Sequence, residues 1–308
     1  RRRGILVGLA AAPLAPVRAG AQAEWRPDRP IRFVVPFAPG GATDTMARLV
    51  GEAMSGPLGV PVVVENRAGA GATIGAEHVA RSPPDGYTLL MGTNTPMAAA
   101  PAMHPNLSYH PLRDFAAVAI VAISPNMAAV HPAVPVTTLQ AFIAYARANP
   151  GRISYGSAGV GSSQHIAGAL LAHLAGLEMT HVSYRGGAPA ALDLVAGRLQ
   201  LLASPLIEVL PYIRDGKMRP LGATTRPSIG EVLPGFEVAS WQGLFAPAGT
   251  PPAAVARIAR EAVAVMSQPA MRSRIEEMGS IPVAMGQEEA ARFVADEIPK
   301  WAELVRIS

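Results

Sequence analysis

Apolar positions along the chain alternate between short continuous runs and stripes of helical spacing, a pattern typical of α/β proteins. Residues 31–35 form the first run, and their β-branched side chains predict a buried parallel strand. The pair Gly40-Gly41 predicts a turn after this strand, because glycine adopts backbone angles that other residues avoid. Apolar residues three and four positions apart within 46–53 then predict a helix, with Thr43 as its N-cap.

The alternation continues to the end of the chain. Further strands are predicted at residues 60–65, 87–91, 115–123, 127–130, 153–155, 179–184, 199–203 and 218–224. Further helices are predicted at residues 74–80, 139–148, 163–174, 190–196, 206–213, 252–266, 270–278 and 287–305. Residues 101–111 read as irregular, and no strand is predicted among the last three helices. This order predicts a doubly wound α/β fold, whose ligands bind beyond the C-terminal ends of the strands.

Two crossings of the chain divide the predicted elements into two lobes. The first crossing lies around residues 124–126 and the second within residues 236–245. Residues 24–123 and 227–308 are therefore assigned to lobe 1, and residues 124–226 to lobe 2. Two lobes on a hinge suit closure around a ligand.

Glycine-rich turns lie between a strand and a helix in both predicted lobes. The second turn, residues 156–161, is followed by Ser162 and Ser163 as caps of the next helix. Main-chain N–H groups at such turns lack helical partners, and the helix dipole favours an anion there. No Lys or Arg lies between Phe33 and Met46, so main-chain donors would have to bind the anion. Either turn alone is equally compatible with a ligand-free connection; two of them favour an anionic ligand between the lobes.

The first residues are typical of a secretory signal. Three arginines precede an apolar run at residues 5–12, and two Ala-x-Ala sites follow within residues 19–23. Residues 1–23 are therefore predicted to be a signal peptide for the Sec or the twin-arginine route, and the protein is expected in the periplasm. Four of the 26 basic residues lie in this segment, which leaves 22 basic residues against 22 acidic ones. A chain without excess positive charge is not expected to bind nucleic acid.

Other chemistries lack the residues that they need. Glycines 69, 71 and 75 resemble a dinucleotide motif, but no acidic residue ends the next strand to bind a ribose. Serines beside His165 could suggest a nucleophile and base, yet no Asp or Glu lies between Asp114 and Glu178. Cysteine is absent, and the histidines have no metal-ligand spacing. No cofactor and no metal site are predicted.

Two charged residues near the glycine turns have two readings each. Asp44 lies in the first turn of a helix, where a carboxylate favours the helix dipole; it could also accept a ligand amino or hydroxyl group. Arg185 is a cation beside a glycine turn, or a solvated loop residue.

Several motifs together resemble the Bug family, the periplasmic substrate-binding receptors of tripartite tricarboxylate transporters. They are Pro27-Asp-Arg-Pro-Ile31, Val35-Pro-Phe-Ala-Pro-Gly-Gly-Ala-Thr-Asp44, Val62-Val-Val-Glu-Asn-Arg67, Pro84-Asp-Gly-Tyr-Thr-Leu-Leu90, Tyr155-Gly-Ser-Ala-Gly159, Gly161-Ser-Ser-Gln-His165, Tyr184-Arg-Gly186 and Trp241-Gln-Gly-Leu-Phe-Ala-Pro-Ala-Gly-Thr-Pro251. The resemblance implies a two-lobed periplasmic binding protein of type II, a Venus flytrap, in which each lobe is a doubly wound, mostly parallel sheet flanked by helices. It also implies a carboxylate ligand held largely by main-chain donors.

The resemblance also implies which residues contact the ligand. They are Phe37, Ala38, Gly40, Gly41, Thr43, Asp44 and Thr93 from lobe 1, and Ser157, Gly161, Ser162, Ser163, His165, Arg185, Gly186 and Ser204 from lobe 2. Family members often carry Asp where this chain has Ser204, and their segment at residues 225–233 is longer. Loss of that Asp predicts a solute without an amino group.

The expected function is capture of a small organic carboxylate, without enzymatic activity. The expected partners are the membrane subunits of a tripartite tricarboxylate-type transporter, and a monomer is expected. Two alternatives stay open from sequence: a ligand sensor that acts on a membrane kinase, and a periplasmic enzyme acting on a carboxylate.

Overall fold

Ten strands and eleven α-helices alternate along residues 25–223 and 229–308, the part of the chain that this computed structural model describes. The strands are β1 (Ile31–Val35), β2 (Val62–Asn66), β3 (Thr88–Thr93), β4 (Phe115–Val130), β5 (Ile153–Ser157), β6 (Met179–Ser183), β7 (Leu201–Pro205), β8 (Arg219–Ala223), β9 (Ala239–Pro247) and β10 (Ile281–Met285). The helices are α1 (Ala42–Leu58), α2 (Thr73–Ala80), α3 (Ala100–Met103), α4 (Leu139–Ala148), α5 (Ser163–Ala175), α6 (Gly187–Val195), α7 (Leu206–Arg214), α8 (Ile229–Val232), α9 (Pro252–Met266), α10 (Pro269–Glu277) and α11 (Gln287–Ile307).

The first half of the fold is a mixed sheet with parallel strands at one side. Strand β1 lies between β2 and β3 and is parallel to both. Strand β9 then pairs antiparallel with β3 on one side and with β4 on the other. This first sheet includes residues 115–125 of β4, and β10 pairs antiparallel with β4 at residues 120–123. The parallel strands end at the same edge, which brings the loops after β1 and β3 together.

The second sheet repeats this arrangement and shares β4 with the first. Strand β5 lies between β6 and β7 and is parallel to both. Residues 126–130 of β4 pair antiparallel with β7, and β8 pairs antiparallel with the same stretch of β4. The carboxyl ends of β5, β6 and β7 therefore share one edge, beside the corresponding edge of the first sheet.

Three sequence predictions about elements are wrong. The runs at residues 115–123 and 127–130 form one continuous strand, β4, because antiparallel pairing with β9 carries on through Pro125. Residues 281–285 form β10, although no strand was predicted near the end of the chain. The stretch 95–103 is helical, with a π-helical turn at Thr95–Ala99 followed by α3, whereas part of it was predicted to be irregular.

Helices cover both faces of the sheets and enclose separate apolar clusters. Met46, Val50 and Met54 of α1 are fully buried and pack with Phe33 of β1 against Ile258 of α9. Their spacing of four residues places all three on one face of α1, so burial of this stripe fixes the helix on the first sheet. Firm packing at this point holds the N-terminus of α1 at the edge where the strands end.

Some predictions concern residues outside the described ranges. The predicted signal peptide, residues 1–23, lies there, and so does the proposed lobe boundary at residues 226 and 227. Part of the shortened segment 225–233 also lies there. Within the residues that are described, none of the helices is both long enough and apolar enough to cross a membrane.

Candidate functional site

A small cavity lies where the loops of the two sheets meet. Its volume is about 30 Å³, room for no more than a few water molecules. The first sheet contributes Phe37, Gly41, Ala42, Thr43, Thr93, Thr95 and Ser240 to its wall, and the second contributes Ala158, Ser162, Ser163, Gln164, Gly187, Pro205 and Glu208. The two glycine-rich turns that were predicted to face one ligand therefore border the same cavity.

The N-terminus of α1 points a main-chain donor at this cavity. Gly41 is the N-cap, in an extended conformation with φ −82° and ψ 176°, and no side chain caps the helix from within the same turn. Thr43, predicted as the N-cap, lies inside the first turn instead. The Ala42 N–H donates to Glu208 Oε1 at 2.7 Å, so a carboxylate from α7 binds the end of α1. Carboxylates are favoured at this position because the first N–H groups of a helix lack partners and the dipole is positive there.

Glu208 is a partly buried carboxylate that accepts hydrogen bonds from neutral groups. Ser204 Oγ donates to Glu208 Oε2 at 2.5 Å, and Gln164 Nε2 donates to the same oxygen at 2.6 Å. Gln164 also donates to Ser204 Oγ at 2.8 Å, which ties the three side chains together. Burial raises the pKa of the Glu208 carboxyl, and the hydrogen bonds from Ser204, Ala42 and Gln164 only partly oppose that shift. No ion pair to Glu208 is present in the described part of the chain.

Hydroxyl groups make up much of the remaining wall. Ser162 caps α5, since its Oγ accepts from the His165 N–H at 3.2 Å, as the sequence predicted. Thr43, Thr95 and Ser163 are at most 7% exposed. Their hydroxyls have no hydrogen-bond partner among the residues that the structure describes. Because these three residues line the cavity, their hydroxyls can donate to a polar molecule inside it.

The loops around the cavity also touch each other directly. The Ala38 N–H donates to the Arg185 carbonyl at 3.0 Å, which joins the loop after β1 to the loop after β6. Gly186 packs against Ala38 with φ 157°, and a Cβ at this position would lie 3.1 Å from the Ala38 nitrogen. This close approach requires glycine.

A second, larger cavity adjoins the first one. It measures about 380 Å³, and Phe37 and Ala158 line both cavities. Its wall includes the exposed residues Ala70, Val160 and Arg185, so it opens towards solvent. Arg185 is therefore a cation at the outer cavity rather than at the inner one.

Several predicted site residues lie behind the cavity wall. Ser157 is fully buried, and its Oγ lies 2.6 Å from His181 Nε2. The His181 ring lies tilted against the His165 ring, with centroids 4.3 Å apart. Burial, reinforced by the neighbouring His165, lowers the pKa of His181 to about 4. Gly161 donates its N–H to His165 Nδ1 at 3.3 Å, so these groups position the loop before α5.

Asp44 is committed to contacts within its own lobe. Its carboxylate accepts from the Gly40 N–H at 2.9 Å, from Arg48 and from Asn66. Burial works against ionisation of Asp44, but the hydrogen bonds from Arg48, Gly40 and Asn66 outweigh it and hold its pKa below the usual value. Asp44 does not line the inner cavity. Its role is to fix the turn at Gly40, where φ is 84°.

The structure thus sorts the predicted site residues into groups. Phe37, Gly41, Thr43, Thr93, Ser162 and Ser163 line the inner cavity. Arg185 lines the outer cavity with Phe37. Ser204 does not line the inner cavity, but it donates a hydrogen bond to Glu208, which does. The residues that support the loops from behind or join them are Ala38, Gly40, Asp44, Ser157, Gly161, His165 and Gly186. Sequence reasoning missed Glu208 and Gln164. An acid inside the apolar run Leu206-Ile-Glu-Val-Leu210 was the available signal.

Metal binding has no support in this arrangement. Residues 25–223 and 229–308 hold no group of three or more His, Cys, Asp or Glu side chains that could bind a metal ion. The inner cavity instead offers neutral donors and a single carboxylate, which suits a hydrogen-bonded organic molecule.

Comparison with known proteins identifies the family. Residues 46–307 match the family described as "Tripartite tricarboxylate transporter family receptor". The chain belongs to this receptor family. One relative is Protein BugT of Bordetella pertussis, 33% identical over 95% of this chain and 93% of the relative. The resemblance to Bug proteins is therefore confirmed.

Solved structures of similar proteins confirm the fold class of this family receptor. Rpa4515 of R. palustris with adipate has a TM-score of 0.89 and 34% identity, over 91% of this chain and 97% of that one. MatC from Rhodopseudomonas palustris with bound malate has a TM-score of 0.85 and 33% identity, over 91% and 99%. The receptor is an α/β protein with the two-lobed fold of periplasmic binding proteins. Both sheets of this fold contain parallel and antiparallel strand pairs, as described above.

Proposed function

We propose that this chain is an extracytoplasmic receptor that captures a small organic carboxylate between its lobes and delivers it to the membrane subunits of a tripartite tricarboxylate-type transporter. One observation carries the proposal. The Ala42 N–H at the end of α1 already binds a carboxylate oxygen, that of Glu208, at 2.7 Å inside a cavity shared by both sheets. The site is therefore chemically suited to carboxylates without any cation in its wall.

The energetics of such a site are sufficient for a receptor. A charge-assisted hydrogen bond has a net worth of about 1.5–3 kcal/mol, and micromolar binding needs roughly 8 kcal/mol. Thr43, Thr95, Ser162 and Ser163 supply hydroxyl donors beside the main-chain ones. Four or five of these bonds to one carboxylate would reach micromolar affinity before the cost of ordering the lobes.

Capture requires the lobes to separate, because a cavity of about 30 Å³ cannot admit an organic acid. We assign residues 24–123 and 227–308 to one lobe and residues 124–226 to the other. The change of partners in β4 supports this division, since its residues up to Pro125 pair in the first sheet and those from Asn126 pair in the second. The hinge would then lie at this point.

The family supports the proposed delivery role. The family description names its members as receptors of tripartite tricarboxylate transporters. Two of the similar solved structures contain adipate and malate. We therefore propose that the chain acts in the periplasm as a monomer, without a catalytic group or cofactor.

Isothermal titration calorimetry tests the proposal. Mono-, di- and tricarboxylates and nicotinate-like aromatic acids are titrated into the purified chain, each beside its uncharged amide. At least one acid is expected to bind with micromolar affinity, and its amide about 10-fold or more weaker. The bound acid should be recovered unchanged after long incubation. Binding of amides as tight as that of acids, or turnover of the acid, would contradict the proposal.

A further inference from the structure

We propose that Glu208 is a specificity-determining residue that selects solutes carrying an ammonium group, or a weaker hydrogen-bond donor, near their carboxylate. This inference rests on the proposed function and narrows its solute class. It also reverses the expectation from sequence, in which the serine at position 204 predicted a solute without an amino group.

The first argument is the charge of Glu208. Its side chain belongs to the wall of the inner cavity, and its three donors are the Ala42 N–H, the Ser204 hydroxyl and the Gln164 amide, all of them neutral. Within the described residues no Lys, Arg or His forms an ion pair with it. Removing a carboxylate charge from water costs free energy, and a nearby cation or further hydrogen bonds offset that cost. A solute ammonium in the cavity would supply the missing positive charge.

The second argument is the number of hydrogen bonds that Glu208 can still accept. An ionised carboxylate accepts about four. Oε2 already accepts two, from Ser204 and Gln164, whereas Oε1 accepts one, from Ala42. Oε1 therefore keeps one acceptor position, and a solute donor in the cavity can fill it.

The third argument concerns solutes with the opposite chemistry. A second carboxylate placed beside Glu208 would be repelled, because two like charges in one buried site disfavour each other. The hydroxyls of Thr43, Thr95 and Ser163 belong to the same wall and can donate to an acceptor. The cavity thus offers donors for the carboxylate and an acceptor for the ammonium group of one zwitterionic molecule.

Ser204 fits this arrangement as a support for Glu208. The two residues are four positions apart around the start of α7, and Ser204 Oγ donates to Glu208 Oε2. The carboxylate that this chain lacks at position 204 is therefore present one helical turn later, in contact with position 204.

The test compares solutes that differ in a single substituent. Calorimetry measures the affinity of the wild-type chain for propionate, lactate and alanine, for succinate, malate and aspartate, and for adipate and 2-aminoadipate. In the series that binds, the ammonium compound is expected to bind about 10- to 100-fold tighter than the unsubstituted acid, with the hydroxy acid between them. This ratio needs no variant, so it does not depend on the folding of a mutant.

The variant Glu208→Gln isolates the residue, with Glu52→Gln on the exposed face of α1 as the matched control. Glu208→Gln is expected to lower the ratio of ammonium-compound affinity to unsubstituted-acid affinity by about 10-fold or more, whereas Glu52→Gln keeps the wild-type ratio. Thermal melting confirms that both variants fold. An unsubstituted acid that binds the wild type as tightly as its ammonium analogue overturns the inference alone, and so does a ratio that Glu208→Gln leaves unchanged. Binding of no carboxylate to any of these proteins overturns the proposed function and the inference with it.

Discussion

A side chain at position 41 would enter the space beside the inner cavity, so this position needs glycine. Its backbone is extended, with φ −82°, so valine can adopt the same conformation. A Cβ at this position would lie 2.9 Å from Glu208 Oε1, inside the space between α1 and α7. We expect Gly41→Val to weaken carboxylate binding about 100-fold or more, since the added methyl groups block several hydrogen bonds. Calorimetry with an acid that binds the wild type measures this loss.

Gly56→Val provides the control for that substitution. Gly56 lies in the same helix, is exposed, and has open space around its missing Cβ. This variant should bind solute like the wild type, although valine is a poorer helix former than most residues. Equal affinity of Gly41→Val and the wild type would count against a site at the end of α1.

His181 predicts how stability depends on pH. Burial and the neighbouring His165 lower its pKa from the ordinary 6.5 to about 4 in the folded protein. Between these two values the unfolded chain binds a proton that the folded chain does not, so the free energy of unfolding falls as the pH falls from 6.5 towards 4. His181→Gln should flatten this dependence. Urea unfolding at a series of pH values measures it.

The exposed His173 of α5 supplies the control, as His173→Gln should leave the pH dependence as it is in the wild type. If His181→Gln and the wild type lose stability equally over that range, His181 is not buried in the neutral form.

Site residues in turns and caps were predicted from the sequence, whereas a site residue that depends on a long-range contact was missed. Gly41 and Ser162 could be predicted, because turns and helix caps favour particular residue types at particular positions. Glu208 lies in α7, and nothing in its neighbourhood along the chain shows that α7 packs on the end of α1. Contacts between elements 166 positions apart, such as Ala42 with Glu208, leave no local pattern.

At the scale of elements, the N-cap residue of α5 is expected to affect both the stability of the fold and the binding of solute. Ser162 accepts the His165 N–H and also lines the inner cavity. Ser162→Ala should lower the free energy of unfolding by about 1 kcal/mol, the usual worth of such a cap. It should also weaken solute binding, because a hydroxyl donor is lost from the wall. Chemical denaturation and calorimetry on the same preparation separate the two effects.

Thr138→Ala is the matched control for the cap. Thr138 caps α4 by accepting the Ala141 N–H at 3.1 Å, and it is exposed and outside the cavity. It should show a comparable loss of stability with no loss of affinity. A Ser162→Ala protein that is less stable but binds normally would show that Ser162 acts only as a cap.

The elements themselves were predicted best where the pattern is local. Helices α4 and α9 begin and end where their apolar stripes and caps indicated. Strand β10 was missed because Ile281–Met285 is short, contains a proline, and is only held in place by pairing with the distant β4. The break predicted inside β4 was wrong for the same reason, since its ladder with β9 outweighs the local signal of Pro125.

For the whole molecule, the contact of Ala38 with Arg185 and Gly186 limits how far the lobes can close. A methyl group at position 186 would meet the Ala38 nitrogen at 3.1 Å, and φ 157° is unfavourable for alanine. Gly186→Ala should therefore hold the lobes apart and weaken binding about 10-fold, through loss of the closed form. Small-angle X-ray scattering with saturating solute should show a larger radius of gyration than for the wild type.

Gly176→Ala separates obstruction from backbone strain. Gly176 has φ 61° but open space around its missing Cβ, so its substitution should lower stability without changing the scattering curve or the affinity. Identical compaction of Gly186→Ala and the wild type on binding would contradict the role given to this contact.

The shared strand β4 has a consequence for how the two halves can move. Strands β4 and β9 run side by side up to the junction, with Ser124 opposite Ser240 and Pro125 opposite Ala239. A hydrogen-bonded ribbon therefore reaches the point where the two halves meet. Neighbouring strands twist relative to each other by roughly 10–35°, and more in two-stranded ribbons. A change of twist here would therefore alter the angle between the two halves. Under the proposed function, a change in the twist of this ribbon would part the two halves and free the solute.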